Sequence, residues 1–243
     1  MALIYGRNPV LEAINSGITI NKIYIQKSNK EIYDIVKLAK DKRIVIVETE
    51  KGKLDKMCEN KNSQGIVASV TDYKYYEIED IIKCAQDKNE APLVLILDKI
   101  EDPHNLGAII RTAECLGVHG IIIQKRNACQ VTDTVEKVAA GACSYMKVAR
   151  VTNITESIKK LKEYGLWIYG LDMQGSTRIY ETKLEGAIGL VVGNEGSGIS
   201  RLVKENCDFM INIPMTGKIN SLNASVSAAI SIYEVVRQLN KPL

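Results

Sequence analysis

The sequence predicts an α/β protein of two domains, and three observations lead to this fold class. Helical spacing alternates with short apolar runs along nearly the whole chain. The run "PLVLILDKI", which starts at residue 92, is continuously apolar, as is typical of a parallel strand buried on both faces. A polar, acidic stretch at 73–91 separates two such alternating regions. We therefore expect a first domain at 1–72, a linker at 73–91 and a second domain at 92–243.

The first domain alternates helix and strand signals within a length close to the smallest that folds alone. "NPVLEAINSG" predicts a short helix that ends at Gly17. The remaining signals are, in order, strand "KIYIQK", helix "KEIYDIVKLAKDK", buried strand "IVIVE", helix "KLDKMCENK" and strand "QGIVASV".

The second domain alternates in the same way but with more and longer elements. After the strand at 92–100 we expect helix 105–117, strand "GIIIQK", a helix at about 132–140, an apolar stretch near 146–151, helix "ITESIKKLKEYG", strand "LWIYGLD", strand "AIGLVVG", a short helix from about Ser200, strand "FMINIP" and a last helix at 222–240. This order predicts a mostly parallel sheet with helices on both sides. The linker before it holds Tyr73, Tyr75 and Tyr76, which could pack along a domain seam or stack on RNA bases.

Composition and charge narrow the function class. The 243 residues carry a net charge of +3, and residues 1–72 hold 12 Lys and Arg against 9 Asp and Glu, which is compatible with a nucleic-acid partner. No apolar run reaches membrane-spanning length and the N-terminus lacks a signal-peptide pattern, so we expect a soluble, cytoplasmic protein with no membrane partner. The cysteines are scattered without a CxxC pair beside only two histidines, which predicts reduced, mostly buried thiols and no metal site: Cys58, Cys84, Cys115, Cys129, Cys143 and Cys207.

Three strands of the second domain end in unusual polar loops, "DKIEDPHNLG", "GNEGSGIS" and "IPMTGKINSLNAS". Ligands of such sheets bind beyond the carboxyl ends of the strands. Gly193, Gly196 and Gly198 in the middle loop could form a tight turn or a cofactor cradle. Their GxxGxG spacing, late in the chain, argues against a dinucleotide fingerprint. Glu195 within this loop could fix the turn or accept a hydrogen bond from a ligand.

The third loop leads into a helix whose first residues are small and polar. A helix N-cap explains one of Asn220 and Ser221, but it leaves Asn223 without a role. The small residues that follow Asn223 indicate close approach by backbone or by another subunit.

The helix at 105–117 carries one cation, Arg111. On a helical wheel Arg111 lies opposite an apolar stripe directed at the sheet, formed by Leu106, Ile109, Ile110, Ala113 and Leu116. Its neighbours are small, which indicates a surface cleared for close approach. The alternative is an ordinary surface ion pair with Glu114.

These residues together resemble the SpoU (TrmH) class of SPOUT RNA 2′-O-ribose methyltransferases. The likeness rests on three motifs in order. They are Asn105-x-Gly107-x-x-x-Arg111, then Gly193-Asn194-Glu195-Gly196, and last Pro214 followed by Ser221-Leu222-Asn223-Ala224-Ser225. "YGRNPVLEAI" and "SQGIVA" of the first domain resemble the small L30e-like RNA-binding domain of one subgroup, whose members methylate a guanosine in 23S rRNA.

The resemblance implies a SPOUT domain with a deep trefoil knot and a mostly parallel sheet, joined to an L30e-like α/β domain. It also implies a homodimer, 23S rRNA as substrate and S-adenosylmethionine as cofactor. In this family, backbone groups matching Gly193, Ile213 and Leu222 hold the cofactor, and we add Gly196 and Gly198. The catalytic set implied is Arg111, Asn105, Glu195, Ser221 and Asn223.

The roles that we expect follow from side-chain chemistry. Arg111 would bind a phosphate with both arms and so place the adjacent ribose, and Asn105 would hold Arg111 or the ribose. Glu195 would orient its loop, and Ser221 and Asn223 would fix the third motif. The family has been proposed to use the arginine as general base, whereas a guanidinium stays protonated in proteins. His104 is an alternative base, or it shapes the turn at Pro103.

Two other functions remain open at this level. The chain could methylate tRNA instead, or it could bind RNA without catalysis. Three positions depart from the subgroup, Ser63 before Gln-Gly and Ser144 and Lys147 after Gly141-Ala142. They lie outside the three motifs and bear on the RNA target.

Overall fold

The computed structural model describes residues 2–16, 18–27, 29–59, 62–71, 73–218 and 221–239. The chain divides into two compact units, residues 1–74 with 131–133, and residues 75–130 with 134–243.

The described residues of the first unit form a four-stranded sheet and three α-helices. Its elements are β1 (Ala2–Tyr5), α1 (Arg7–Ser16), β2 (Ile20–Gln26), α2 (Tyr33–Asp41), β3 (Ile46–Thr49), α3 (Lys51–Met57) and β4 (Ile66–Val70). The strand order is β1-β4-β2-β3, and only β2 and β3 run parallel. Helices α1 and α2 pack on one face of the sheet and α3 packs on the other.

The sequence predicts all of these elements except β1, which is four residues long. The apolar residues of β3 predict a buried strand. The strand is only partly buried, because it lies at the edge of the sheet. Gly17, the predicted end of α1, lies outside the described residues.

The second unit is larger and its sheet is entirely parallel. Its elements are α4 (Ile78–Asp87), β5 (Leu93–Asp98), α5 (Pro103–Cys115), β6 (Gly120–Gln124), α6 (Asp133–Ala139), β7 (Val148–Val151), α7 (Ile154–Glu163), β8 (Trp167–Leu171), β9 (Thr177–Arg178), β10 (Ile188–Gly193), α8 (Arg201–Lys204), β11 (Phe209–Asn212) and α9 (Ala224–Gln238). The strand order is β7-β6-β5-β10-β8-β11-β9. The predicted parallel α/β domain is therefore confirmed, and the unpredicted strand β9 has only two residues.

The central strands β5, β6 and β10 are buried on both faces, which explains their continuous apolar letters. Helices α4, α7 and α8 contribute side chains to the core on one face. Helices α5 and α9 contact one another, and α9 also contacts β10. The sheet thus carries helices on both sides.

Helix α4 corrects the predicted linker at 73–91. Its apolar side chains Ile78, Ile81, Ile82 and Ala85 are buried, and three of them belong to the core of the second unit. A capping box between Glu77 and Asp80 fixes its start. The acidic residues of this stretch lie on the solvent-facing side of an amphipathic helix. Because the other side of the helix belongs to the core of the second unit, that unit begins near Tyr75.

The tyrosines before α4 pack against strand β7. The Tyr76 N–H donates to the Val148 carbonyl oxygen at 3.0 Å, which adds a bridge to the edge of the sheet. Lys147 Nζ lies 4.5 Å from the Tyr76 ring centroid, and the Arg150 guanidinium lies at the same distance over Tyr75. Tyr75 and Tyr76 thus pack against the edge strand of their own unit.

Across the described ranges, none of the helices combines the length and the apolar content needed to cross a membrane.

Candidate active site at the carboxyl ends of the strands

The loops that follow β8, β10 and β11 line one cleft at the carboxyl edge of the parallel sheet. Gly193, the last residue of β10, pairs in register with Asp98, the last residue of β5. The cleft is lined by residues 171–174, 192–198, Lys204, Ile213, Met215, Ser221, Leu222, Ala224 and Ser227. This is the edge at which the sequence predicts ligand binding.

The loop after β10 is closed by its own backbone. Asn194 N–H donates to the Gly198 carbonyl at 3.2 Å, and Gly198 N–H donates to the Asn194 carbonyl at 2.8 Å. The Asn194 side chain accepts from Gly196 N–H at 2.9 Å and donates to the Lys99 carbonyl at 3.0 Å. A Cβ at Gly193 would lie 2.2 Å from the Gly198 carbonyl carbon. Gly193 is thus required by the packing of the tight turn itself.

One carboxylate oxygen joins the three motifs. Glu195 Oε1 accepts from Asn105 Nδ2 at 2.9 Å, from Asn223 Nδ2 at 2.5 Å and from Ala224 N–H at 3.1 Å. Asn223 Nδ2 also donates to Asn105 Oδ1 at 2.9 Å. The structure therefore brings Asn105, Glu195 and Asn223 together, and Glu195 holds three separate segments of the chain in one arrangement.

Asn223 is the N-cap of α9, a role that the sequence analysis assigned to Asn220 or Ser221. Its Oδ1 accepts from Ser225 N–H at 2.9 Å and Val226 N–H at 3.3 Å, and also from Ser225 Oγ at 2.6 Å. The cap uses the oxygen of the amide, which leaves Nδ2 free to donate to Glu195 and Asn105. Ser221 lines the cleft, and Asn220 lies outside the described residues.

Asn105 lies in the first turn of α5 and is buried. Asp102 is the N-cap of this helix and accepts from His104 N–H at 2.8 Å, with Pro103 at the first helical position. Both polar ends of the Asn105 side chain are engaged with the other two motifs. Asn105 thus connects the loops, and no hydrogen bond joins it to Arg111 among the described residues. Its expected contact with the ribose stays a prediction.

Arg111 is exposed on α5, while Leu106, Ile109, Ile110 and Ala113 of the same helix are buried, as the helical wheel predicts. Within the part of the chain that the structure describes, no ion pair joins Arg111 to Glu114. Gly107 is one of the small neighbours of Arg111 that predicted a surface cleared for close approach, but its small size has another reason. A Cβ there would lie 2.6 Å from Val138 Cβ and 2.9 Å from the Val135 carbonyl oxygen, so α6 requires this glycine and not the approach of a ligand to Arg111.

All five residues expected at the cofactor line the cleft: Gly193, Gly196, Gly198, Ile213 and Leu222. Gly198 has a positive φ of 63°, a conformation that favours glycine. The wall combines apolar side chains with the backbone of a tight loop and with carboxylates. This is the lining of a pocket for a small molecule that has both an apolar and a polar part.

Two charged residues of the cleft were missed by the sequence analysis. Asp172, directly after β8, forms an ion pair with Lys204 at the end of α8. Burial alone would raise the pKa of Asp172, but hydrogen bonds from Lys204 and from Gln174 N–H outweigh it and lower the pKa. A carboxylate at the end of a parallel strand was a signal that could have identified this position.

In the first unit, the two stretches that carry the resemblance meet. Arg7 N–H donates to Gln64 Oε1 at 2.9 Å, and Gly6 N–H donates to the Ile66 carbonyl at 3.2 Å. Ser63, which departs from the subgroup, is buried, and its Oγ accepts from Gly65 N–H at 3.3 Å.

The cysteines are free thiols, although only Cys58 is fully buried and Cys115 is exposed. Burial raises the pKa of Cys129 to about 12 and that of Cys207 to about 12, which keeps these thiols protonated at neutral pH. Among the described residues, no group of three or more His, Cys, Asp or Glu side chains is arranged to hold a metal ion.

Comparison with known proteins shows which family the chain belongs to. Residues 92–233 match the model of the SpoU rRNA methylase family, and residues 3–76 match the model for RNA 2′-O ribose methyltransferase substrate binding. A protein of Staphylococcus haemolyticus named as a TrmH family tRNA/rRNA methyltransferase is 44% identical over 238 residues, which is 97% of this chain and 95% of the relative. YacO of Bacillus subtilis, named in the same way, is 43% identical over 98% of this chain and 96% of its own length.

Among solved structures, the SpoU methyltransferase AviRb from Streptomyces viridochromogenes, in complex with its cofactor AdoMet, superposes with a TM-score of 0.63. The two are 23% identical, and the match covers 97% of this chain and 89% of AviRb. The chain belongs to the SpoU rRNA methylase family, and it is an RNA methyltransferase of the SpoU/TrmH class. Its α/β fold is that of the SPOUT methyltransferases with a substrate-binding N-terminal domain, as the sequence predicts. The knot of the chain stays a prediction.

Proposed function

We propose that this protein transfers a methyl group from S-adenosylmethionine to the 2′-oxygen of a ribose, that of a guanosine in 23S rRNA. The observation that carries the proposal is the junction at Glu195 Oε1, where the three motifs of the family meet beside one cleft. Two side-chain amides and a backbone N–H that share one carboxylate oxygen fix the loops relative to one another, as alignment of a donor and an acceptor requires.

The cleft suits S-adenosylmethionine. Apolar Ile213, Met215 and Leu222 offer a surface to the adenine, and the loop 193–198 offers backbone groups. Glu195 also lines the cleft, and its carboxylate suits a ligand that carries positive charge. When bound, the cofactor would supply an electrophilic methyl group on sulfur. Its transfer to the ribose oxygen would leave the electron pair of the broken bond on sulfur and release the hydroxyl proton to water.

Arg111 positions the RNA. It is exposed on α5, and the same helix carries Asn105 at the junction. A guanidinium grips a phosphate through two parallel hydrogen bonds, so Arg111 would fix the phosphate next to the reacting ribose. The charge would also stabilise the oxygen as its proton leaves. Because a guanidinium stays protonated, we assign Arg111 to positioning and charge stabilisation and not to proton removal.

The test is methylation of RNA with a labelled cofactor. Purified protein, S-adenosylmethionine with a radioactive methyl group and ribosomal RNA should give label on a ribose of 23S rRNA, located by 2′-O-methyl mapping. The same reaction with total tRNA is the second arm. Label in tRNA alone would replace the rRNA assignment with the tRNA alternative. The absence of label from both RNAs, with cofactor bound, would support an RNA-binding role without catalysis.

We further propose that the catalytic unit forms a homodimer through α9. Val226, Ile230 and Tyr233 are 44%, 40% and 50% exposed, and their spacing of four and three residues places them on one face of the helix. An apolar groove beside them is lined by Leu116, Tyr180, Pro214 and others. An exposed apolar patch of this kind is typical of a protein interface.

Light scattering tests the dimer. The wild-type protein should show twice the monomer mass of 26.9 kDa. Ile230→Asp together with Tyr233→Asp should give the monomer mass. Leu202→Asp is the matched control, since Leu202 is equally apolar and exposed but lies on α8. A wild-type monomer with full activity would remove this proposal.

We assign RNA selection to residues 1–72 and cofactor binding to the second unit. We also propose that the enzyme is cytoplasmic. The match of residues 3–76 to a substrate-binding model supports the division. Because α4 belongs to the core of the second unit, a shortened chain should begin at Tyr75 and not at Pro92. That chain should bind S-adenosylmethionine in calorimetry and lose most methylation of rRNA.

A further inference from the structure

Asp172 lies on the wall of the cleft, one residue beyond the end of β8. Its backbone N–H donates to the Ile211 carbonyl at 2.9 Å, so the residue is held in register with β11. Its side chain is 13% exposed. A Cβ at Gly198 would lie 4.0 Å from Asp172 Oδ2, which places this oxygen beside the tight loop after β10.

The carboxylate has unused hydrogen-bonding capacity. An ionised carboxylate accepts about four hydrogen bonds, two at each oxygen. Oδ1 accepts from Gln174 N–H at 2.9 Å, and Oδ2 accepts from Lys204 Nζ. In the described part of the chain, no other donor reaches the carboxylate of Asp172. One position on each oxygen thus remains for a ligand.

The charge of Asp172 is already balanced by Lys204, which forms part of the same wall. A balanced carboxylate attracts a cation less than an isolated one does, but it still accepts hydrogen bonds from neutral hydroxyls. Two adjacent hydroxyl groups match two free positions on one carboxylate. Carboxylates near the carboxyl ends of parallel strands bind ribose hydroxyls in this way in other α/β folds.

We propose that Asp172 is a cofactor-binding residue that accepts hydrogen bonds from the two adjacent hydroxyls of the cofactor's ribose, with Lys204 as its positioning partner. This rests on the proposed use of S-adenosylmethionine. It adds a side-chain contact to a site in which the expected cofactor contacts are made by backbone groups of Gly193, Ile213 and Leu222.

The protein contains a matched control at the opposite end of the same strands. Asp208 precedes β11, and its Oδ1 accepts from Lys162 Nζ at 2.6 Å while Oδ2 accepts from Ile168 N–H at 2.8 Å. Asp208 thus has the same set of partners as Asp172, one lysine and one backbone N–H. It is absent from the lining of the cleft.

Calorimetry with S-adenosylhomocysteine and its 2′-deoxy, 3′-deoxy and deamino analogues tests the proposal. Removal of either hydroxyl should weaken binding to the wild type by roughly tenfold or more, the effect of losing a hydrogen bond to a charged group. Asp172→Asn should weaken the binding of S-adenosylhomocysteine by a similar factor and become insensitive to the removal of the hydroxyls. Asp208→Asn should bind all four ligands as the wild type does, and thermal unfolding of both variants reports their folding.

Three other outcomes would each contradict the ribose contact or the proposed cofactor. If the wild type binds the deoxy analogues as tightly as the parent, the ribose contact is wrong even if Asp172→Asn fails to fold. If Asp172→Asn becomes insensitive to loss of the amino group instead, the carboxylate binds the ammonium and the ribose contact is again wrong. If the wild type binds no S-adenosylhomocysteine, the proposed cofactor itself is wrong and the contact falls with it.

Discussion

The two ends of the parallel sheet are held together in different ways. At the amino ends, backbone hydrogen bonds link neighbouring segments, from His119 N–H to the Leu93 carbonyl at 2.9 Å, from Ile188 N–H to the Pro92 carbonyl at 2.8 Å and from Trp167 N–H to the Ala187 carbonyl at 2.9 Å. The side chains of Asp208 and His119 add one link each. At the carboxyl ends, side chains connect the loops, above all through Glu195 Oε1. Side-chain connections depend on residue identity, whereas backbone connections tolerate substitution.

We therefore expect the amino ends of the strands to serve mainly stability and the carboxyl ends to serve function. The amino end adds His119, which is buried and accepts the Leu93 N–H on Nδ1 at 3.0 Å. The carboxyl end carries the cleft and the junction at Glu195. We expect substitutions at the carboxyl end to change catalysis or binding first, and those at the amino end to change the free energy of unfolding alone.

The largest effect is expected at Arg111. Arg111→Ala should lower single-turnover methylation at saturating RNA by on the order of 10²-fold or more, because the reactant is no longer placed. Arg111→Lys keeps the charge but loses the planar grip, so it should be almost as slow. Cofactor affinity and thermal stability should stay near those of the wild type. Equal rates for the wild type, Arg111→Ala and Arg111→Lys would show that Arg111 is an ordinary surface cation.

The next effect is expected at Glu195. Glu195→Ala leaves the amides of Asn105 and Asn223 and the Ala224 N–H without their shared acceptor. We expect affinity for S-adenosylhomocysteine to fall by roughly tenfold or more, together with about 1–3 kcal/mol of stability. Glu195→Gln still offers an oxygen and should recover most of the affinity. Calorimetry and thermal unfolding measure both quantities, and an Ala variant with unchanged affinity would contradict the junction's role.

The smallest effect on function is expected at His119. His119→Leu removes the acceptor of the buried Leu93 N–H, so the free energy of unfolding should fall by about 1–3 kcal/mol. His119→Asn can present an oxygen near the position of Nδ1 and should lose less. Affinity for the cofactor should not change in either variant. A loss of affinity comparable to that of Glu195→Ala would show that the two ends of the sheet are not independent.

The sequence predicted most of the fold because the apolar letters of β5, β6 and β10 report burial on both faces directly. It missed β1 and β9, which are short, and it placed α4 in a linker because the acidic face of that helix dominates its composition. Whether an amphipathic helix joins a core depends on what lies beside it, and local sequence does not contain that information.

The motifs identified the site residues but not their contacts. Asn105 was expected to hold Arg111 or the ribose, whereas its amide donates to Glu195, 90 positions away. Asn223 has two uses at once, as helix cap and as part of the junction, and only a tertiary structure reveals the second. The small neighbours of Arg111, with Gly107 among them, predicted a surface cleared for close approach, because α6 could not be located beside Gly107 from the sequence.

The junction at Glu195 also bears on how the protein folds. Its donors lie 90 positions before it and 28 and 29 positions after it, so closing the junction brings together segments that are far apart in the sequence, and we expect it to close late in folding. A half-folded chain would therefore lack the cleft, and a ligand of the cleft would bind the native state alone. Such a ligand stabilises the whole unit by mass action and protects all of it from proteases at once, not only the loops that it touches.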